Sequence, residues 1–245
     1  MSIVDSFYGK EESLFKLEGK VSKGYPNIAI ATFDPKMINI AIKLYSCKKI
    51  GNLFAGVTIP IYELDYHGNK ILLYLSIMGS ATTTIFMEQL HAKGVNTFLF
   101  IGSCGLLEEG LLSYPILVPT KSYRDEGVSY HYMAPSDFID IPSSKKLCNV
   151  LDKLQQNYRT CINWTTDAIF RETPTAIGKR KADGCTTVDM ECSAIHSVAN
   201  FRGINTFQFF WPLDYFSKDK RTLVKQSKPP QEYLELSLKL SFLVL

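Results

Sequence analysis

A chain of 245 residues, 46% hydrophobic and 21% charged, can bury a sizeable core without staples and has the make-up of an ordinary globular protein. Its formal net charge of +3 comes from basic residues scattered outside Lys179-Arg180-Lys181 and the stretch from Lys218 to Arg221, which gives no footing for nucleic acid and leaves small anions open. No apolar run approaches the roughly 20 residues of a membrane span, the N-terminus shows no basic-then-apolar leader, and the six cysteines have neither CxxC nor zinc spacing, so the expectation is a reduced, cytoplasmic protein with no membrane and no metal.

Residues 1–25 read as a polar N-terminal extension ending at Gly24-Tyr25-Pro26, and residues 26–245 as one domain. Asn27–Thr32 is almost wholly apolar, as in a strand buried on both faces. Asp34-Pro35 offers a cap and a first-position proline to a helix running to about Ser46. Val57–Asp65 alternates, His67-Gly68-Asn69 turns and Lys70–Ser76 returns, which predicts a hairpin. Met78-Gly79-Ser80-Ala81 interrupts before a helix over Thr82–Lys93, closed by Gly94. Thr97–Ile101 is another buried strand, ending in a Gly102-Ser103-Cys104-Gly105 turn, and Pro115–Pro119 a further one. Arg124–Phe138 reads as a long aromatic loop. A helix over Ser143–Tyr158, a strand at Cys161–Thr165, a helix over Val188–Phe201, a strand at Ile204–Phe210 and a helix over Glu232–Leu243 complete the chain. Strands alternating with helices imply an α/β fold whose mixed sheet is covered on both faces, with ligands beyond the carboxyl ends of strands.

The chemically interesting motifs fall at such ends, and each has a bland reading beside the sharp one. In Asp189-Met190-Glu191, one carboxylate can accept both hydroxyls of a ribose, or the two acids simply favour a helix start. Small residues in Gly102-Ser103-Cys104-Gly105 let backbone amides and the Ser103 hydroxyl approach an anion, or they make a tight turn. Asp214, beside Trp211 and Pro212, can act as a general acid or cap a loop. Arg221, seven residues on, can return to Asp214 or be plain surface charge. Phe170-Arg171 can stack on and bond a flat heterocycle, or be a core aromatic beside a solvated arginine. The loop bearing His131 and Tyr132 reads as a lid or base-stacking wall, or as packing against the body or a second subunit.

Taken in order, Met78-Gly79-Ser80, Gly102-Ser103-Cys104-Gly105, Thr166-Asp167 with Phe170, Val188-Asp189-Met190-Glu191 and Asp214 resemble the nucleoside phosphorylase family, with its purine nucleoside and uridine phosphorylases and related nucleosidases. The match covers about residues 26–243, and the Arg124–Tyr132 segment looks most like an atypical bacterial branch. The resemblance implies a three-layer α/β/α fold around a mixed, partly barrel-like central sheet. It implies an enzyme of nucleoside salvage that transfers the pentose of a nucleoside to phosphate without a cofactor. It assigns Glu191 to the ribose hydroxyls, Met190 to the sugar face, Phe170 and Arg171 to the base, Asp214 to protonation of the departing base, and Ser103 to phosphate or water. Gly79, Gly105, His131 and Tyr132 complete the expected binding set, with Arg221 beside Asp214. Family members are homo-oligomers whose sites a neighbour completes, so His131 or an N-terminal residue can be donated across an interface.

The nucleophile half departs from that pattern. Phe33 replaces the glycine of the first turn, and Met37 and Phe100 stand where the family's phosphate-binding arginines are expected. Lys36, Lys48, Lys49 and Arg124 are the cations left to compensate, and no lysine reproduces a guanidinium fork. Two alternatives follow: a hydrolytic nucleosidase with a carboxylate such as Asp34 as base, Asp34 reading better as the helix cap, or a nucleoside-binding protein without turnover.

Overall fold

The computed structural model describes residues 2–9, 11–17, 24–217, 220–225 and 228–244, so part of the expected N-terminal extension lies outside the described residues. The apolar run Ile28–Thr32 forms β1, and Asp34 then caps α1 (Pro35–Leu44) by accepting the Lys36 N–H at 2.9 Å. Three antiparallel strands follow, β2 (Cys47–Phe54), β3 (Thr58–Tyr66) and β4 (Asn69–Leu75), before α2 (Ser80–His91) and β5 (Thr97–Leu106). Next come β6 (Ile116–Asp125), the single turn α3 (Ser129–Tyr132), β7 (Phe138–Asp140), α4 (Ser143–Lys153) and β8 (Tyr158–Thr166). The last part contains α5 (Pro174–Ala182), β9 (Thr187–Asp189), α6 (Cys192–Arg202), β10 (Asn205–Phe216), β11 (Arg221–Leu223) and α7 (Pro230–Leu243).

The strands lie in the order β11-β10-β6-β8-β9-β5-β1-β4-β3-β2, with β7 on β6. A second pairing of β10 with β5 closes β5, β10, β6, β8 and β9 into a barrel, from which β1 to β4 extend as an open wing. Strand β1 shows why both faces must be covered. Ile28 and Ile30 join the core beneath α1, α4 and α7, while Ala29 and Ala31 face α2 and α6. The two alanines lie level with Phe98 and Phe100 on β5, whose stacked rings (centroids 5.9 Å apart) fill the space the alanines leave. The expected three-layer α/β/α architecture with a partly closed mixed sheet is therefore the observed one. All six cysteines are unpaired. Among the described residues no helix is long and apolar enough to cross a membrane.

Several boundaries differ from the sequence reading, and the reason each time is tertiary pairing. The expected turn at Gly102-Ser103-Cys104-Gly105 is the second half of β5, held between β10 and β9. The helix expected from Val188 starts at Cys192, because Val188 and Asp189 are taken up by β9. Strand β10 runs six residues past Phe210, through a bulge between Pro212 and Asp214, so Asp214 is a strand residue and not a loop residue. Strand β2 has charged, glycine-containing, non-alternating sequence, which suits an edge with a single partner and hides it from pattern reading.

Candidate active site

The expected ribose half begins at Gly79. Its φ of 113° is a left-handed conformation that suits glycine, and it starts α2 without a side-chain cap. That geometry aims its N–H at the Oε1 of Glu191, 2.6 Å away. Next to it, the Ser80 hydroxyl donates to the Met190 carbonyl at 2.7 Å. Two chain segments 112 residues apart are thus joined at the carboxyl end of the sheet by two bonds. Asp189 is spent on structure: its Oδ1 accepts from Asn163 (2.6 Å) and Thr165 (2.8 Å), and its Oδ2 caps α6 through the Cys192 N–H at 2.9 Å. Glu191 is only 7% exposed and holds far fewer donors. Burial raises its pKa well above the ordinary range, and the charge of Asp189 adds to that, with a smaller contribution from Asp167. The bonds from Gly79 and the Met190 backbone oppose the shift.

The expected leaving-group half lies on β10 and β11. Asp214 is 5% exposed, and its Oδ2 accepts from both Nε (2.6 Å) and Nη2 of Arg221, so the arginine does return. Gly105 lies level with Asp214 across β5 and β10 and level with Val188 across β9, at the junction of the two halves. A Cβ there would stand 2.6 Å from the Phe216 ring, 2.8 Å from Asp214 Oδ1 and 2.9 Å from Val188. Gly105→Ala is therefore expected to destabilise the fold by about 1–3 kcal/mol and to displace Asp214, lowering kcat more than it raises KM. Unfolding melts and steady-state kinetics on one preparation check both effects.

Beside this pair opens a cavity of about 300 Å³, lined by Ile169, Phe170, Glu172, Pro174, Ile177, Phe216, Ser217, Lys220 and Arg221. Phe170 is 96% exposed, so it is no core residue and its ring face is free to stack. Arg171, expected beside the base, is also exposed and lies outside the lining of this cavity. Its neighbour Glu172 does line it, and sequence reasoning stopped one residue short. Burial, then the charge of Asp214, push the Glu172 carboxyl up to about 7, with Arg221 opposing. The available signal was Thr173-Pro174, a cap followed by a first-position proline. Thr173 accepts the Ala176 N–H at 3.2 Å to open α5, which leaves Glu172 at the helix mouth.

The expected nucleophile half is apolar at Phe33, Met37 and Phe100. A Cβ at Gly102 would meet the Phe33 ring at 2.9 Å, so that ring lies directly against the strand that carries Ser103. Met37 is fully buried, its sulfur 3.1 Å from the Thr32 hydroxyl, and Phe100 is fully buried as well. The Asp34 carboxylate is engaged as the α1 cap. Arg124 cannot serve as a replacement cation, because its guanidinium is consumed by Ser129, Met133, Ala134 and Ser136 and stacks on Tyr130. Of the two readings of the loop, packing against the body is the one seen at Tyr132. The Tyr132 hydroxyl donates to Glu88 and its ring packs edge-on against Phe201, while His131 is exposed; neither lines the cavity. Among the described residues no group of three His, Cys, Asp or Glu side chains is placed to hold a metal ion.

Comparison with known proteins gives a consistent picture. The model of the phosphorylase superfamily matches residues 27–224. A guanosine phosphorylase of Halorubrum lacusprofundi is 22% identical over 198 residues, 80% of this chain and 79% of that one. A uridine phosphorylase of Salmonella typhimurium is 36% identical over 111 residues, which span 45% of this chain and 43% of the relative. In three dimensions the chain is similar to a purine nucleoside phosphorylase from Toxoplasma gondii solved in complex with immucillin-H, with a TM-score of 0.72, 15% identity and 96% of each chain covered.

Proposed function

Because this chain belongs to the phosphorylase superfamily, we propose that it breaks the N-glycosidic bond of a nucleoside and passes the pentose to phosphate, giving free base and ribose 1-phosphate. The observation that carries this reading is the carboxylate of Glu191, fixed by the Gly79 N–H at 2.6 Å just past the end of β9, the strand on one side of Gly105, with the Asp214–Arg221 pair starting from β10 on the other. Breaking a C–N glycosidic bond leaves oxocarbenium character on the sugar and negative charge on the base. A carboxylate at the ribose hydroxyls stabilises the first, and an acid at the base stabilises the second. Phe170 supplies the stacking face for the base. The reaction needs phosphate as co-substrate and no cofactor. The enzyme works as a homo-oligomer, a second copy covering apolar surface such as Met78, which is 62% exposed.

Phosphate is the weak partner in this scheme. Helix α2 enters the site with no side-chain cap, so its first-turn N–H groups are the anion donors left to the nucleophile half. Loss of two guanidinium forks removes charge-assisted bonds worth about 1.5–3 kcal/mol each, so the KM for phosphate is expected in or above the millimolar range. A hydrolytic reading is favoured by one observation, the Phe33 ring occupying the space over Gly102. A panel of nucleosides assayed with and without phosphate decides between the two. Base release that requires phosphate and yields ribose 1-phosphate supports phosphorolysis. Equal release without it, with free ribose as product, assigns the nucleophile to water.

A further inference from the structure

Resting on the nucleoside-cleaving reading, we propose that Glu172 is the acid that delivers the proton to the departing base, with Asp214 and Arg221 as the charged pair beside it. Both Glu172 and Arg221 line the cavity of about 300 Å³ where Phe170 and Phe216 offer aromatic faces, whereas Asp214 does not line it. The Oδ2 of Asp214 is occupied by two nitrogens of Arg221, leaving Glu172 as the carboxyl that fronts the cavity among the described residues. Among the described residues, the charged groups around it are Asp214 on β10 and, at the start of β11, Arg221 and Lys220, while α5 adds Pro174 and Ile177 to the lining. Burial and the charge of Asp214 raise Glu172 to about 7, where a carboxyl still holds a proton to give at neutral pH.

The step balances simply. The C1′–N bond breaks and its electron pair passes to the base, while the Glu172 proton moves to a base nitrogen. An oxygen of the nucleophile bonds to C1′, and the proton that the nucleophile sheds restores Glu172.

The test measures kcat against pH at saturating substrate for the wild type, Glu172→Gln and Asp214→Asn. Two substrates are used: an ordinary nucleoside, and a 4-nitrophenyl β-riboside whose leaving group needs no proton. Wild-type kcat on the nucleoside is expected to fall as pH rises through about 7. Glu172→Gln should lose that limb and slow about a hundredfold or more on the nucleoside, with a loss at least about tenfold smaller on the nitrophenyl riboside. A merely structural role would lower both substrates alike. Asp214→Asn should keep the limb but move it to lower pH, because the negative charge that raises Glu172 is gone. If Glu172→Gln keeps the limb and Asp214→Asn abolishes it, the acid is Asp214 and the proposal is overturned. If the wild type releases neither base nor nitrophenolate, the nucleoside-cleaving reading fails, and the role of Glu172 with it.

Discussion

Glu191→Ala is expected to lower kcat/KM for a nucleoside by about 10³-fold, or about 4 kcal/mol of transition-state stabilisation, and Glu191→Gln by about 10²-fold. The carboxylate can accept both ribose hydroxyls at once, each as a charge-assisted bond of about 1.5–3 kcal/mol. Glutamine keeps one acceptor and turns the other arm into a donor facing a donor. The variants also carry a signature that simple misfolding would not produce. With its pKa raised by burial, free Glu191 must shed its proton to grip a diol, so wild-type kcat/KM should show a rising limb set by that ionisation, which the falling limb of Glu172 turns into a bell. Glu191→Gln should lack that rise. Stability moves in the opposite sense. A folded-state pKa raised above the unfolded value of about 4.3 gives stability that is fully present below that value and lost as pH climbs through the folded one. Glu191→Gln should therefore melt higher than wild type at alkaline pH and lose that advantage near pH 4. A variant with unchanged kcat/KM would remove Glu191 from the site.

The fold was legible because it rests on local rules, and the residues of the candidate ribose half were marked by the same rules. Asp34-Pro35 predicts the start of α1 to the residue, and unbroken apolar runs locate β1 and the first half of β5. Asp189-Met190-Glu191 was noticed as two acids, and the structure separates them by what surrounds each. Asp189 is satisfied by Asn163, Thr165 and the Cys192 N–H, whereas Glu191 is held by a single long-range bond from Gly79. No spacing rule states that separation, because the donors come from β8 and α2. The same applies to Gly105, which reads as a turn glycine and is in fact an empty space that Asp214, Phe216 and Val188 crowd. Both readings of the loop bearing His131 and Tyr132 stayed open because aromatic density looks the same whether the rings face a ligand, a second subunit or, as with Tyr132, Glu88 and Phe201. Glu172, the proposed acid, went unmarked for a plainer reason: α5 was not read from the sequence, so nothing pointed to the residue at its mouth.

Arg124→Ala is expected to destabilise the protein by about 3–5 kcal/mol, and Arg124→Lys by only slightly less. The side chain is 1% exposed at the end of β6 and organises the whole 126–138 segment. Its Nε donates to the Ser129 hydroxyl at 2.9 Å, one terminal nitrogen to the Ala134 carbonyl and the Ser136 hydroxyl at 2.8 Å each, and the other to the Met133 carbonyl at 3.3 Å. The guanidinium also lies 4.3 Å from the centre of the Tyr130 ring. Alanine leaves these buried acceptors unpaired and opens a cavity, and each unpaired group carries a desolvation cost of about 1–3 kcal/mol. Lysine keeps the charge but has no planar fork with which to reach Ser129, Met133, Ala134 and Ser136 together. For a domain of this size the loss corresponds to a fall of about 10 °C in Tm, measurable by calorimetry. The consequence reaches the site through Glu126. Its carboxylate accepts the Val128 and Ser129 N–H groups and, at 2.8 Å, the hydroxyl of Ser193, in the first turn of the helix that Glu191 opens. An Arg124 variant should therefore lose activity through KM for the nucleoside, as the ribose grip loosens, well before it unfolds. An unchanged melting temperature would show that the guanidinium is dispensable to the segment. It would also return Arg124 to the pool of cations free to meet phosphate.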